Sequence, residues 1–88
     1  MRFEFDPLKA KGNLRKHGVS FADAEAVFLD LLALHTEDPD ARGEERFLAV
    51  GLGAAGEVLV VVYTVRAGVV RLISARRATR REAKTYAG

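Results

Sequence analysis

The sequence predicts a small α+β domain, in which N-terminal helices pack on an antiparallel β-meander and a short helix closes the chain. Three observations lead to this prediction. Apolar residues recur at helical spacing before residue 30, three β-rich segments follow one another after residue 44, and a helix-start signal appears at Thr79. Because 88 residues are enough for one core and too few for two, residues 1–88 are expected to form a single domain.

The N-terminal third predicts one short strand and two helices. Residues 3–5 are a candidate strand. Asp6 is a good N-cap and is followed by proline, so a helix is expected from there to about His17, and Gly18 suits the left-handed conformation that ends helices. Ser20 begins a second helix, whose apolar face comprises Phe21, Ala24, Val27 and Phe28.

The rest of the chain predicts strands and a closing helix. The expected strands are 32–37 and roughly 45–52, 57–65 and 69–76, with a polar loop at 38–44. The β-branched run from Val58 to Val65 predicts a central strand that is buried on both faces. Thr79 and Glu82 form a capping box, which opens a final helix of one or two turns.

Composition excludes several classes of function. The absence of cysteine excludes disulfide scaffolds, thiolate zinc sites and cysteine nucleophiles. No apolar stretch approaches the roughly 20 residues that span a bilayer, and the N-terminus lacks the apolar core of a signal peptide, so we expect a cytoplasmic protein without a membrane partner. His17 and His35 have no metal-ligand spacing around them, and we expect neither metal nor cofactor.

Charge is distributed unevenly along the chain. Residues 66–88 contain seven Arg or Lys and one Glu, a net charge of +6, whereas residues 1–65 contain seven basic and eleven acidic residues, a net charge of −4. Such asymmetry suggests a polyanion partner, most commonly a nucleic acid. The alternative is a solvated basic helix at the end of the chain.

Three side chains that suit RNA binding fall on one predicted sheet face. If residues 53–56 form the first hairpin turn, Arg46 lies opposite Tyr63. If residues 66–68 form the second turn, Tyr63 lies opposite Arg71. Two arginines in one row repel each other unless an anion lies between them. Guanidinium groups bind phosphate and a tyrosine ring stacks on a base, so the row predicts a site for an RNA phosphodiester.

Two alternatives to this row remain open. Glu45, Glu57 or the acidic loop could neutralise the arginines while Tyr63 only packs. A register shift of one residue would also scatter the row, because it turns every side chain of a strand to the other face. Arg77 is expected further along the same face.

Four segments together resemble the BrnT family, toxins of bacterial type II toxin–antitoxin systems. They are Phe3–Pro7, Asn13–Phe21, Glu45–Phe47 and Ile73–Glu82, in this order. The resemblance implies a fold similar to RelE-type ribonucleases and RNA cleavage without a metal. It also implies neutralisation by BrnA, a ribbon-helix-helix antitoxin that binds DNA, so that DNA is contacted only indirectly. Tyr63 stands where this family often has histidine or phenylalanine.

The resemblance implies attack of the ribose 2′-hydroxyl on the adjacent phosphorus, with arginines stabilising the charge. Arg46, Arg71 and either Arg76 or Arg77 would have this role, because arginine does not release its proton at neutral pH. Arg76 matches the arginine of the family's Ile-Ser-Ala-Arg segment. Strand alternation puts it on the helix-covered face, so it could instead anchor Glu82 or the backbone.

The general base and the wider RNA contacts stay open at the sequence level. His17 has a suitable intrinsic pKa but could equally cap its helix, and Tyr63 and Glu45 are the other candidates for the base. Contacts with the RNA backbone are expected from Arg77, Arg80, Arg81 and Lys84. A non-enzymatic module that binds a nucleic acid or a partner through the same basic surface is the alternative function.

Overall fold

The computed structural model describes residues 1–87 as five strands, three α-helices and one 3₁₀ turn. The elements are β1 (Arg2–Glu4), α1 (Pro7–His17), α2 (Phe21–Glu25), the 3₁₀ turn (Ala26–Leu29), β2 (Leu34–Glu37), β3 (Phe47–Leu52), β4 (Val58–Arg66), β5 (Val69–Arg77) and α3 (Arg80–Ala87). The α+β class and the order of elements are confirmed. The longest described helix, α1, has 11 residues, and none of the helices in this part of the chain could span a bilayer.

The strands form one sheet in the order β1-β5-β4-β3-β2. Neighbouring strands from β2 to β5 are antiparallel, as the predicted meander requires. β1 differs, because it pairs in parallel with the start of β5, placing Glu4 opposite Arg71. The two strands furthest apart in sequence therefore lie side by side.

The helices begin where the predicted caps stand. The Asp6 carboxylate accepts a hydrogen bond from the backbone of α1, and Gly18 ends that helix at φ 70°. The Ser20 hydroxyl caps α2. At α3 the capping box is reciprocal: the Glu82 N–H donates to the Thr79 hydroxyl at 3.2 Å, and the Thr79 N–H donates to the Glu82 carboxylate at 2.8 Å. All three predicted helix starts are confirmed.

The two faces of the sheet have different covers. The face under α1, α2 and the 3₁₀ turn, here the helix side, holds the core residues Phe47, Ala49, Leu59, Val61, Tyr63, Val70, Leu72 and Ala75. The opposite face, here the open side, is crossed by α3 and carries Leu48, Val50, Val60, Val62, Thr64, Arg71, Ser74 and Arg76. Val60 and Val61 are 2% and 0% exposed, so the central strand is buried on both faces as predicted.

The predicted register of β4 is wrong by one residue against both of its neighbours, β3 and β5. The first hairpin loop spans residues 53–57, one more than expected, and the second is a two-residue turn, Ala67–Gly68, with φ of 53° and 78°. As a result Thr64, and not Tyr63, pairs with Arg71. Because successive side chains alternate, Tyr63 lies on the helix side and Thr64 on the open side.

A β-bulge in β5 turns Arg76 and Arg77 to the sheet faces opposite to those predicted. Ile73 has no partner in the ladder, because the pairing shifts between Leu72 and Ser74. Beyond the bulge, Arg76 points to the open side and Arg77 to the helix side. The predicted positions, Arg76 on the face covered by the N-terminal helices and Arg77 in the arginine row, are therefore both wrong.

Asn13 joins α1 to the outer edge of β5. Its amide nitrogen donates to the carbonyls of Ala75 at 2.8 Å and Val19 at 3.0 Å, and its amide oxygen accepts from the Ala75 N–H at 3.0 Å. β1 extends along β5 only as far as Arg71, so the backbone of Ala75 has no strand on this side. The buried side chain of Asn13 supplies the two hydrogen bonds that a neighbouring strand would make.

Candidate active site

Arg46 and Arg71 flank Thr64 on the open side. Thr64 pairs with Arg71 directly, and continuing the β3–β4 register by one position brings Arg46 beside Thr64. Since adjacent strands are about 4.8 Å apart, the two arginine backbones lie roughly 10 Å from each other. The structure thus brings the two predicted arginines together, with Thr64 in the position expected for Tyr63. Thr64 was not predicted, because its place depends on the register of both hairpins.

Arg46 and Arg71 each form a weak ion pair with a neighbouring carboxylate. Arg46 Nε lies 3.9 Å from Glu44 Oε1, and Arg71 Nη1 lies 3.4 Å from Glu4 Oε1. Both guanidinium side chains are about 40% exposed. Exposed ion pairs contribute about 0–1 kcal/mol, so a phosphate can replace either carboxylate at small cost. Glu44 also lies 3.9 Å from Arg66 Nη2, so the acidic loop partly neutralises this end of the sheet, as the alternative prediction stated.

Arg46 has an unsatisfied donor. Its Nε atom is buried and has no hydrogen-bond partner among residues 1–87. Buried donors in folded proteins are almost always paired, so such an atom calls for an acceptor. The backbone of Arg46 is fixed, because its carbonyl accepts from the Asp38 N–H at 2.8 Å. The nearest carboxylate oxygen, Glu44 Oε1, lies 3.9 Å away and is too distant for a hydrogen bond.

Tyr63 is part of an aromatic cluster on the helix side. It is 7% exposed and packs edge-to-face on Phe28, with ring centroids 4.8 Å apart. Its hydroxyl is 2.8 Å from Nδ1 of His35, an exposed residue on the edge strand β2. Burial raises the pKa of Tyr63, so the phenol keeps its proton at neutral pH while it shares this hydrogen bond with Nδ1. Sequence reasoning missed this contact, which joins residues from two strands that are not adjacent in the sheet.

Arg76 makes the strongest ion pair of the open side. Its Nη1 and Nη2 donate to the two carboxylate oxygens of Glu82 at 2.8 and 2.9 Å, and Nη1 also lies 3.3 Å from the Arg77 carbonyl. This is the anchoring contact that the sequence analysis left open as an alternative for Arg76. The bidentate geometry holds α3 on the sheet and lowers the pKa of Glu82 to about 2.

Because of this ion pair, the free energy of unfolding is expected to fall as the solution becomes acidic. Because the pKa of Glu82 in the folded chain is about 2, below the ordinary value of 4.5, the contribution is present above pH 4.5 and is lost as the pH falls towards 2. We expect Glu82→Gln to lower the melting temperature at neutral pH and to flatten its decline in acid. Thermal unfolding by circular dichroism at several pH values measures both, with Glu37→Gln as the exposed control. An unchanged acid profile in Glu82→Gln would contradict the assignment.

His17 and Arg77 lie away from the arginine pair. Arg77 donates from Nε to Glu57 at 2.7 Å and from Nη1 to the His17 carbonyl at 3.1 Å, so it closes the C-terminal end of α1. Arg77 is six residues beyond Arg71 along β5, which corresponds to roughly 20 Å, and it faces the other side of the sheet. The structure therefore does not bring His17 or Arg77 together with Arg46 and Arg71.

The basic residues of α3 are exposed beside the open side. They are Arg80, Arg81 and Lys84, and within the described chain none of them makes a salt bridge. Residues 1–87 contain no group of three His, Asp or Glu side chains arranged to hold a metal ion. An open pocket of about 350 Å³ lies in the acidic loop, where Glu37, Glu44 and Glu45 line it next to Arg46. Glu45 thus remains near the arginine pair.

Comparison with known proteins identifies the family to which this sequence and fold belong. The family model described as "Ribonuclease toxin, BrnT, of type II toxin-antitoxin system" matches residues 5–82. The crystal structure of the Brucella abortus ribonuclease toxin BrnT is similar to this chain with a TM-score of 0.67 and 27% identity, covering 91% of this chain and 99% of that one. A comparison with curated proteins gives no match. The chain therefore belongs to the BrnT family of ribonuclease toxins of type II toxin–antitoxin systems.

Proposed function

We propose that this chain is a metal-independent endoribonuclease toxin that cleaves RNA at the Arg46–Arg71 pair and so inhibits translation and growth. One observation carries the proposal: the backbones of two half-exposed arginines of the open side lie roughly 10 Å apart across Thr64, so that both side chains could reach one phosphodiester. In a RelE-like arrangement, α1 and α2 cover one side of the sheet and the substrate lies on the other, beside α3.

In the proposed reaction, the ribose 2′-oxygen forms a bond to the adjacent phosphorus and the bond from phosphorus to the 5′-oxygen breaks. The products are a 2′,3′-cyclic phosphate and a 5′-hydroxyl, whose proton comes from solvent. Arg46 and Arg71 bind the non-bridging oxygens and stabilise the negative charge that develops on them. Their strand positions fix the two backbones, so that only the side chains have to reorient on the phosphate.

The base in this proposal is a carboxylate beside the arginines. Glu4 Oε1 is 3.4 Å from Arg71 Nη1 on the same side of the sheet, so a phosphate bound there brings its neighbouring 2′-hydroxyl close to Glu4. Glu45 is the second candidate, since it precedes Arg46 and lines the acidic pocket. His17 and Tyr63 are less suitable, because they lie on the helix side. Tyr63 is proposed to orient His35 and to pack the core.

The proposed partner is an antitoxin encoded with the toxin. Type II systems neutralise the toxin with a protein, and the family membership supports a BrnA-like ribbon-helix-helix protein in this role. DNA would be contacted through that protein and not by this chain. We propose the cytoplasm as the compartment of this activity. Arg80, Arg81 and Lys84 are available on α3 for either the RNA backbone or the antitoxin.

Incubation of the purified protein with RNA in excess EDTA tests the proposed reaction. We expect fragments that end in 2′,3′-cyclic phosphate and begin with a 5′-hydroxyl, because the arginines and the substrate's own hydroxyl supply the chemistry. End-group analysis by mass spectrometry identifies the products, and an Arg46→Ala preparation controls for contaminating nucleases. RNA that is bound but not cut would favour the non-enzymatic module. Cleavage that needs added Mg²⁺ would overturn metal independence.

A further inference from the structure

An aliphatic strip runs along β2 and β3 on the open side. Its strand members are Leu34, Leu48, Val50 and Leu52, and Leu32 lies in the turn before β2; these five residues are here called the leucine strip. Leu34 pairs with Val50, and the Asp30 carboxylate accepts hydrogen bonds from the backbone N–H groups of both Leu32 and Leu52 at 2.9 Å. These contacts place the strip's members side by side.

The leucine strip is unusually exposed for aliphatic side chains. Leu32 is 73% exposed, Leu34 41% and Leu52 43%, and Leu31 beside them is fully exposed. Contiguous apolar patches on a folded chain commonly mark protein interaction sites. RNA is the less suitable ligand, because bases are bound by aromatic rings and guanidinium planes and the strip itself contains neither. The surface therefore fits a protein segment with apolar side chains.

Helix α3 turns part of this strip into a groove. Leu34, Thr36 and Val50 form its floor, and α3 forms its wall, with a volume of about 290 Å³ between them. The wall contributes Arg81, which has no salt bridge within residues 1–87, and Glu82, whose carboxylate is already paired with Arg76. An occupant with apolar residues on one face and an acidic residue next to Arg81 would complement both the floor and the wall.

We propose that the leucine strip and its groove bind an amphipathic segment of the antitoxin. The inference rests on the proposed function for the existence of that partner, and on the exposure, pairing and charge of these residues for the surface. Leu48 is two residues from Arg46 on the same face of β3, about 7 Å along the strand. A segment lying on the strip would therefore also obstruct the approach of RNA to Arg46, which links binding to neutralisation.

The test measures binding of the purified product of the reading frame next to this chain's gene. We expect Leu32→Asp and Leu34→Asp each to raise the Kd for that protein by about tenfold or more, because a carboxylate would be buried against apolar side chains. Arg81→Glu should also weaken binding and reduce its dependence on salt. The matched control is Leu8→Asp, since Leu8 is 79% exposed on α1, away from the strip. Thermal unfolding verifies that every variant is folded.

Four results would overturn the inference, and they are distinguishable. Equal affinity of the wild type, Leu32→Asp and Leu34→Asp rejects this surface and leaves the proposed function intact. Failure of the wild type to bind rejects the pairing itself and the inference with it. If the wild type self-associates and the aspartate variants are monomers with unchanged antitoxin affinity, the strip binds a second copy. If the variants lose RNA cleavage but keep antitoxin affinity, the strip belongs to the RNA site.

Discussion

Arg46→Ala and Arg71→Ala are each expected to lower kcat/KM for RNA cleavage by about 100- to 1,000-fold, the usual cost of removing one preorganised donor to a developing oxyanion. Neither change should unfold the protein. Both side chains are about 40% exposed and their ion pairs, at 3.9 and 3.4 Å, are weak. The loss should therefore appear in activity and in toxicity, and not in the melting temperature.

Single-turnover cleavage of a defined RNA measures this effect. Arg15→Ala is the matched control, because Arg15 is an exposed arginine on α1, and it should cleave like the wild type. Arg46→Lys and Arg71→Lys should fall between wild type and alanine, since lysine keeps the charge but loses the planar pair of donors. Full toxicity of both alanine variants would reject the arginine pair as the site.

Asn13→Ala is expected to cost about 3 kcal/mol of unfolding free energy, because it leaves the N–H and C=O of Ala75 and the C=O of Val19 without partners. Each unsatisfied buried polar group costs about 1–3 kcal/mol, and partial access of water lowers the total. A domain of this size has a total stability of roughly 4–13 kcal/mol, so the change removes a large share of it.

Urea unfolding followed by circular dichroism measures the loss as a lower midpoint with an unchanged m-value. The neighbouring Gly12→Ala is the control. Gly12 is in the same helix, and a Cβ added there meets nothing within 4 Å. That change should stabilise the chain by about 0.5–1 kcal/mol through helix propensity. A cost below about 1 kcal/mol for Asn13→Ala would show that the β5 edge is satisfied in another way.

The helices could be predicted because their signals are local. Asp6, Ser20 and Thr79 each lie within three residues of the group they bind. A cap needs no knowledge of the rest of the chain, so its prediction does not depend on tertiary structure. Likewise, the β-branched run of β4 indicated a central strand from composition alone.

The details of the site could not be predicted in the same way, because they depend on turn geometry. An alanine at positive φ in the second hairpin carries no sequence signal, and it shortens that turn by one residue. The bulge at Ile73 contains neither glycine nor proline, yet it sends Arg76 and Arg77 to opposite sides from those predicted. Arg46 and Arg71 nevertheless share one side. The first loop is one residue longer than predicted and the second is one residue shorter, so the register of β3 relative to β5 is unchanged there.

The parallel pairing of β1 with β5 has a consequence for the order of events during synthesis. Residues 2–4 emerge from the ribosome well before their partners at 69–71, each of which lies 67 positions further along the chain. Closing so long a loop is costly in entropy, so this pairing is expected late in folding. Glu4 and Arg71 meet only through this contact. The nascent chain is therefore expected to lack a complete site, with Glu4 beside Arg71, until synthesis has passed β5.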